Sequence, residues 1–141
     1  MTKRTKVAIR KLPTGVPGLD QILGGGLPEF SFNIIAGTPG CGKTTLAHQI
    51  AFANATAERP ALYFTILGEP ALKMLRYQQQ YDFYDETMMG SAIRFINLSE
   101  QVLKGDWNVV LDAIISEVEA ANPAIVIVDP FRSMARKFIG A

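Results

Sequence analysis

The chain has 141 residues, with 14 Lys and Arg against 13 Asp and Glu, for a net charge of +1. Hydrophobic residues make up 48% and charged residues 19%, which excludes a disordered or fibrous chain and predicts one packed core. A charge so nearly balanced supplies no overall basic field of the kind an obligate nucleic-acid binder uses, and the single cysteine, Cys41, leaves no internal disulfide.

Residues 1–12 read as a basic, solvated tail, because Lys3, Arg4, Lys6, Arg10 and Lys11 all precede the first acid, Asp20. The start is basic like that of a signal peptide, but Val7-Ala8-Ile9 runs straight into Arg10-Lys11 without an apolar core. No apolar run is long enough to cross a bilayer, so the expected compartment is the reducing cytoplasm, with no membrane partner. In residues 13–28, Val16, Leu19, Ile22 and Leu23 are spaced for one short helical face, which Gly24-Gly25-Gly26 stops.

Residues 31–36 (SFNIIA) predict a buried strand, and residues 44–57 a helix. Between them, Gly37-Thr38-Pro39-Gly40-Cys41-Gly42-Lys43-Thr44 fits G-x-x-x-x-G-K-[ST], the phosphate-binding loop. Polyphosphate is gripped by inward-pointing backbone N–H groups, and the glycines let the chain bend and approach where a Cβ would obstruct. Residues Thr38, Pro39, Gly40, Cys41, Gly42, Lys43, Thr44 and Thr45 are therefore the expected nucleotide contacts. Lys43 brings a positive charge to the β- and γ-phosphates, and the Thr44 hydroxyl suits Mg²⁺, which takes few ligands from protein. The helix N-terminus that follows faces the anion. Strand, loop and helix together are the context that separates this motif from an incidental tight turn.

A second buried strand is predicted over residues 60–67, with Gly68-Glu69-Pro70 at its C-terminal end. Open parallel sheets place reactive groups at such ends, where the Glu69 carboxylate can orient or deprotonate the water that attacks a γ-phosphate. An acid ahead of Pro70 is equally well explained as a helix-start residue favoured by the dipole, and both readings stand. A helix follows over residues 71–81. Tyr77, Tyr81, Phe83, Tyr84, Met88 and Met89 read as local packing, and residues 92–97 as a third strand. From Trp107 to Ala121 the residues Val110, Leu111, Ile114, Ile115 and Val118 recur at helical spacing, and Asn122-Pro123 ends the run. Residues 124–128 (AIVIV) form a continuous apolar run closed by Asp129, as a fully buried parallel strand requires. A carboxylate at the end of an interior strand reaches a Mg²⁺ shell in nucleotide-hydrolysing folds, so Thr44 and Asp129 are the expected metal residues. Alternating strands and helices predict an α/β fold, a three-layer sandwich around a mainly parallel sheet.

The run Thr14-Gly15-Val16-Pro17-Gly18-Leu19-Asp20, closed by Leu23-Gly24-Gly25-Gly26-Leu27-Pro28 and followed by the loop through Thr45, resembles the start of a KaiC-type ATPase domain. KaiC is one of the RecA-like ATPases, and the resemblance extends from Pro13 over nearly the whole chain. It implies a RecA-like core over residues 13–141, ATP and Mg²⁺ as ligands, and a hexamer-like ring of identical subunits with nucleotide between neighbours. It also implies a truncated domain, since KaiC-like domains continue through further strands. At the end of the second strand the resemblance calls for two adjacent glutamates, of which Gly68 replaces the first and Glu69 keeps the second. The expected function is ATP binding with Mg²⁺-dependent hydrolysis, in which Lys43 and Glu69 are the catalytic residues. A weakly hydrolysing assembly or signalling module is the alternative that Gly68 motivates. A recombinase-like DNA binder is disfavoured, because no basic patch interleaved with aromatics stands out.

Overall fold

The computed structural model describes residues 5–66, 71–132 and 136. Three parallel strands, β3 (Ala61–Thr65), β4 (Ile93–Asn97) and β5 (Ile125–Asp129), form a sheet in the order β4-β3-β5. A shorter antiparallel pair, β1 (Lys11–Leu12) with β2 (Leu27–Pro28), lies at the amino-terminal end and begins inside the stretch read as tail. The helices are α1 (Leu19–Ile22), α2 (Lys43–Asn54), α3 (Ala71–Gln78), α4 (Ser99–Leu103) and α5 (Trp107–Ala121), with a 3₁₀ turn over Glu86–Met88.

Strand β3 is central because its side chains are apolar on both faces, and Ala61, Leu62, Tyr63 and Phe64 are all fully buried. Alternation divides the strand. Leu62 and Phe64 join Leu98, Val102 and Val110 in a cluster under α4 and α5, with Ile114, Val118 and Trp107 packed against it. Ala61 joins Ala51, Ala55, Ala92 and Ile93 in a second cluster under α2, flanked by Ile125 and Ile127. Helices therefore cover both faces of a parallel sheet, the three-layer α/β arrangement expected. Among the described residues, no helix is long and apolar enough to cross a membrane.

Local chemistry fixes the helix ends. Asp106 caps α5 by accepting from the Asn108 N–H at 2.8 Å, and Asn122, at φ 44°, closes the same helix in the left-handed conformation. Val110, Ile114 and Val118, spaced by four, face the sheet together with Trp107, Ala113 and Ala121. Leu111 and Ile115 keep 36% and 50% of their surface exposed, so the five-residue apolar stripe is wider than the face α5 buries. Trp107 packs at the helix start, and Phe83 and Tyr84 pack on Phe52 at ring distances of 5.7 and 5.5 Å, in line with the packing roles expected.

The segment before the glycine-rich loop corrects the sequence reading. Residues 31–36 belong to no strand and are exposed, with Phe32 at 83% and Ile34 at 78%. An apolar run supplies the side chains of a buried strand, but a strand also needs a neighbour to complete its hydrogen bonds. Among the described residues none of β3, β4 and β5 pairs with this segment, although in the order β4-β3-β5 the outer edges of β4 and β5 carry no ladder.

The lead-in is built around two residues. The Thr14 N–H and hydroxyl both donate to Asp20 Oδ1, at 2.9 and 2.6 Å, and these bonds hold the Asp20 carboxyl below its ordinary pKa. The folded lead-in then hangs on α2: Gln49 Nε2 donates to the Gly15 carbonyl at 2.9 Å and Asn54 Nδ2 to the Pro13 carbonyl at 2.8 Å. Gly26, at φ 123°, passes so close to the Leu12 carbonyl that any Cβ would collide with it.

Candidate functional site

The loop from Gly37 to Gly42 turns through two glycines in the left-handed region, Gly40 at φ 78° and Gly42 at φ 93°, with the Cys41 N–H bonded to the Thr38 carbonyl at 3.3 Å. A Cβ at Gly37 would meet the sulfur of the exposed Cys41, whose side chain would have to turn aside. Helix α2 starts directly at Lys43, with Gly42 as its N-cap and no side chain capping the turn. The Leu46 N–H makes an intrahelical bond to the Gly42 carbonyl at 2.9 Å. The preceding N–H groups of the first turn lie at the positive end of the helix, where they suit an anion.

Lys43 lies across the loop. Its ammonium donates to the Gly37 and Thr38 carbonyls at 2.9 and 2.8 Å and stands 3.8 Å from the Cys41 sulfur. The charge is thus held against the loop by main-chain oxygens.

Thr44, next on the helix, reaches across to the sheet. Its hydroxyl donates to Asp129 Oδ2 at 2.7 Å, joining residues 85 positions apart. Asp129 is the last residue of β5 and pairs in register with Thr65, so it shares the α2 face of the sheet with Tyr63. The Tyr63 hydroxyl donates to that same oxygen, Oδ2, at 2.6 Å. Burial, followed by the bond to and charge of Asp129, pushes the Tyr63 phenol far above its usual pKa, so it remains a donor. His48, one helical turn beyond Thr44, sets its ring edge-on to Tyr63 at 4.6 Å and also touches Phe95 at 5.6 Å. It is 1% exposed, and burial lowers its pKa to about 4 against the opposing pull of Asp129, so the ring is neutral.

Of the residues singled out from the sequence, the structure brings Thr44 and Asp129 into contact and gathers Thr38 through Thr45 at the loop and first turn of α2. Glu69 and Gly68 lie outside the described residues. Tyr63 and His48 had no place in the sequence reading of the site. The available signals were a hydroxyl-bearing ring in a largely apolar strand and a histidine spaced by four from Thr44, neither of which names Asp129 as the partner. The oxygen donors of Thr44 and Asp129 fit Mg²⁺, a hard cation that takes one or two carboxylates together with phosphate and water.

A family model described as KaiC ATPase matches residues 12–138. The chain belongs to the KaiC family of ATPases. Its parallel sheet, glycine-rich loop and helices are those of a RecA-like P-loop core. The KaiC-family chain is similar to the DNA repair protein RadA of Mycobacterium tuberculosis, 36% identical over 126 residues, covering 89% of this chain and 23% of that protein. It is also similar to the DNA repair protein RadA of Pseudomonas aeruginosa, at 30% over 132 residues, covering 92% and 25%. A UPF0273 protein of Thermotoga maritima is 37% identical over 62 residues, covering 44% of this chain and 26% of its own length. This KaiC-family chain thus spans about a quarter of the length of the curated relatives it matches.

Proposed function

We propose that this chain binds ATP with Mg²⁺ at the loop of residues 37–45 and hydrolyses it as part of a ring of identical subunits in the cytoplasm. The observation that carries this reading is the junction of Thr44 with Asp129, a hydroxyl from the loop helix on a carboxylate from the end of an interior strand. Backbone N–H groups from Gly40 to Thr45 donate to phosphate oxygens. Lys43, now on the Gly37 and Thr38 carbonyls, would give its charge to the β- and γ-phosphates. Thr44 and Asp129 hold the metal, which when bound neutralises charge building on the phosphates. Glu69 orients the attacking water. Residues 13–141 are part of the ATPase domain, and residues 1–12 are its basic amino-terminal tail.

Lys43→Ala tests the site. Its binding of Mg-ATP is expected to fall by about a hundredfold, the loss of a charge-assisted contact to phosphate. Binding as tight as that of the unaltered chain would refute the reading. Gly68 favours a second reading, in which nucleotide is bound and turned over slowly to govern assembly or a signalling partner. Phosphate release separates the two: brisk turnover abolished by Glu69→Gln supports the enzyme. The names of the RadA relatives raise a third reading, a DNA repair role, which salt-dependent DNA binding at physiological salt would support.

A further inference from the structure

We propose that Tyr63 is a positioning residue for Asp129: its hydroxyl, held in place by the His48 and Phe95 rings, fixes the carboxylate in the orientation that receives the metal. The inference rests on the Mg-ATP reading of the site and extends it to two residues that make no nucleotide contact in that reading.

A carboxylate at the end of a strand has free rotation about its last bond unless something outside the strand restrains it. Two hydroxyls restrain Asp129, both on Oδ2. They differ in what they can continue to do. Thr44 is itself a metal residue, so its hydroxyl serves Asp129 only until it serves the cation. Tyr63 has no such second duty, and its bond is the one that persists through metal capture. The ring is built to stay: Tyr63 is 1% exposed, meets Phe95 at 5.1 Å on one side and His48 edge-on at 4.6 Å on another. His48 Nε2 has no hydrogen-bond partner among the described residues, so the imidazole acts here as packing, and it rides on the same helix that carries Thr44. Loop helix, central strand and β5 are thereby tied at one carboxylate oxygen. Partners that orient a metal residue in this way typically change metal affinity by about 10–100-fold when removed.

Tyr63→Phe deletes the hydroxyl and keeps the ring, so the fold is retained. Binding of a non-hydrolysable ATP analogue, adenylyl imidodiphosphate, to the full chain is followed by calorimetry across a Mg²⁺ titration and again in EDTA. The same series with Mn²⁺ is read by electron paramagnetic resonance. The expected result is a rise of about tenfold in the metal concentration that half-saturates the complex, with the EDTA affinity unchanged. An unchanged metal requirement overturns the positioning role, as does an equal loss with and without metal, which marks a merely structural tyrosine. His48→Phe, which preserves an aromatic wall, is expected to shift the metal requirement in the same direction by a smaller factor, and no shift would count against the tether. Thr44→Val is the control for the underlying site. If it too leaves the metal requirement unchanged, the Mg-ATP reading fails and this inference with it; if only Tyr63→Phe is silent, the inference fails alone.

Discussion

Thr44 and Tyr63, one at the start of α2 and the other in the middle of β3, donate their hydroxyls to the same oxygen of Asp129, at 2.7 and 2.6 Å. Groups that share an acceptor do not act independently. Thr44→Val and Tyr63→Phe are each expected to cost about 1.5–3 kcal/mol without nucleotide, as hydrogen bonds to a carboxylate do. The double variant should depart from their sum by more than about 0.5 kcal/mol. Urea unfolding of the four proteins measures it, and strict additivity would show that the two bonds are not coupled.

Acid should weaken the fold through His48. Its folded-state pKa of about 4 lies below the ordinary imidazole value of 6.5, so the unfolded chain binds the extra proton between those values. Stability from this residue is present above about pH 6.5 and is lost as pH falls toward 4. Between pH 7 and pH 5 the loss is expected to be about 2 kcal/mol. Urea midpoints at the two pH values give the number, and His48→Met should flatten the difference.

Phe64 is fully buried in the cluster beneath α4 and α5. Phe64→Ala should destabilise the chain by about 3–5 kcal/mol, since the surrounding strands close only partly over the cavity. Leu111→Ala, on the exposed side of α5, should cost well under half of that. Equal losses would contradict the packing.

Gly26→Ala places a methyl against the Leu12 carbonyl at a φ of 123°. The β1–β2 pair should open at a cost of about 1–3 kcal/mol. Hydrogen exchange reads this locally: the Glu29 N–H, bonded to the Arg10 carbonyl at 2.8 Å, should exchange faster while amides of β3 do not.

The sequence was most legible where a single physical demand dominated. Apolar runs located β3 and β5 to within one or two residues, and β4, which carries Arg94, as closely. Only β3 is buried on both faces, where polar side chains find little room, whereas β5, expected to be fully buried, leaves Val126 39% exposed. The loop was legible for the opposite reason: glycines at 40 and 42 and a lysine at 43 serve a local geometry that depends little on the rest of the chain. Residues 31–36 show the limit, for their apolar run says nothing of whether a hydrogen-bonding neighbour is at hand. Leu111 and Ile115 show another, since periodicity marks an apolar stripe but not its buried width. Contacts spanning the sheet were the least legible. Nothing in residues 61–65 announces that the tip of Tyr63 meets an aspartate 66 positions later, because that depends on the register of β3 with β5.

The hold of Gln49 and Asn54 on the Gly15 and Pro13 carbonyls means that α2 has different tenants at its two ends. A 12-residue helix is a stiff rod about 18 Å long. Whatever tilts its head at Thr44 must swing its foot, and the amino-terminal segment moored there will swing as well. Alterations near Pro13 can therefore reach the distant loop without touching it, through the leverage of one helix.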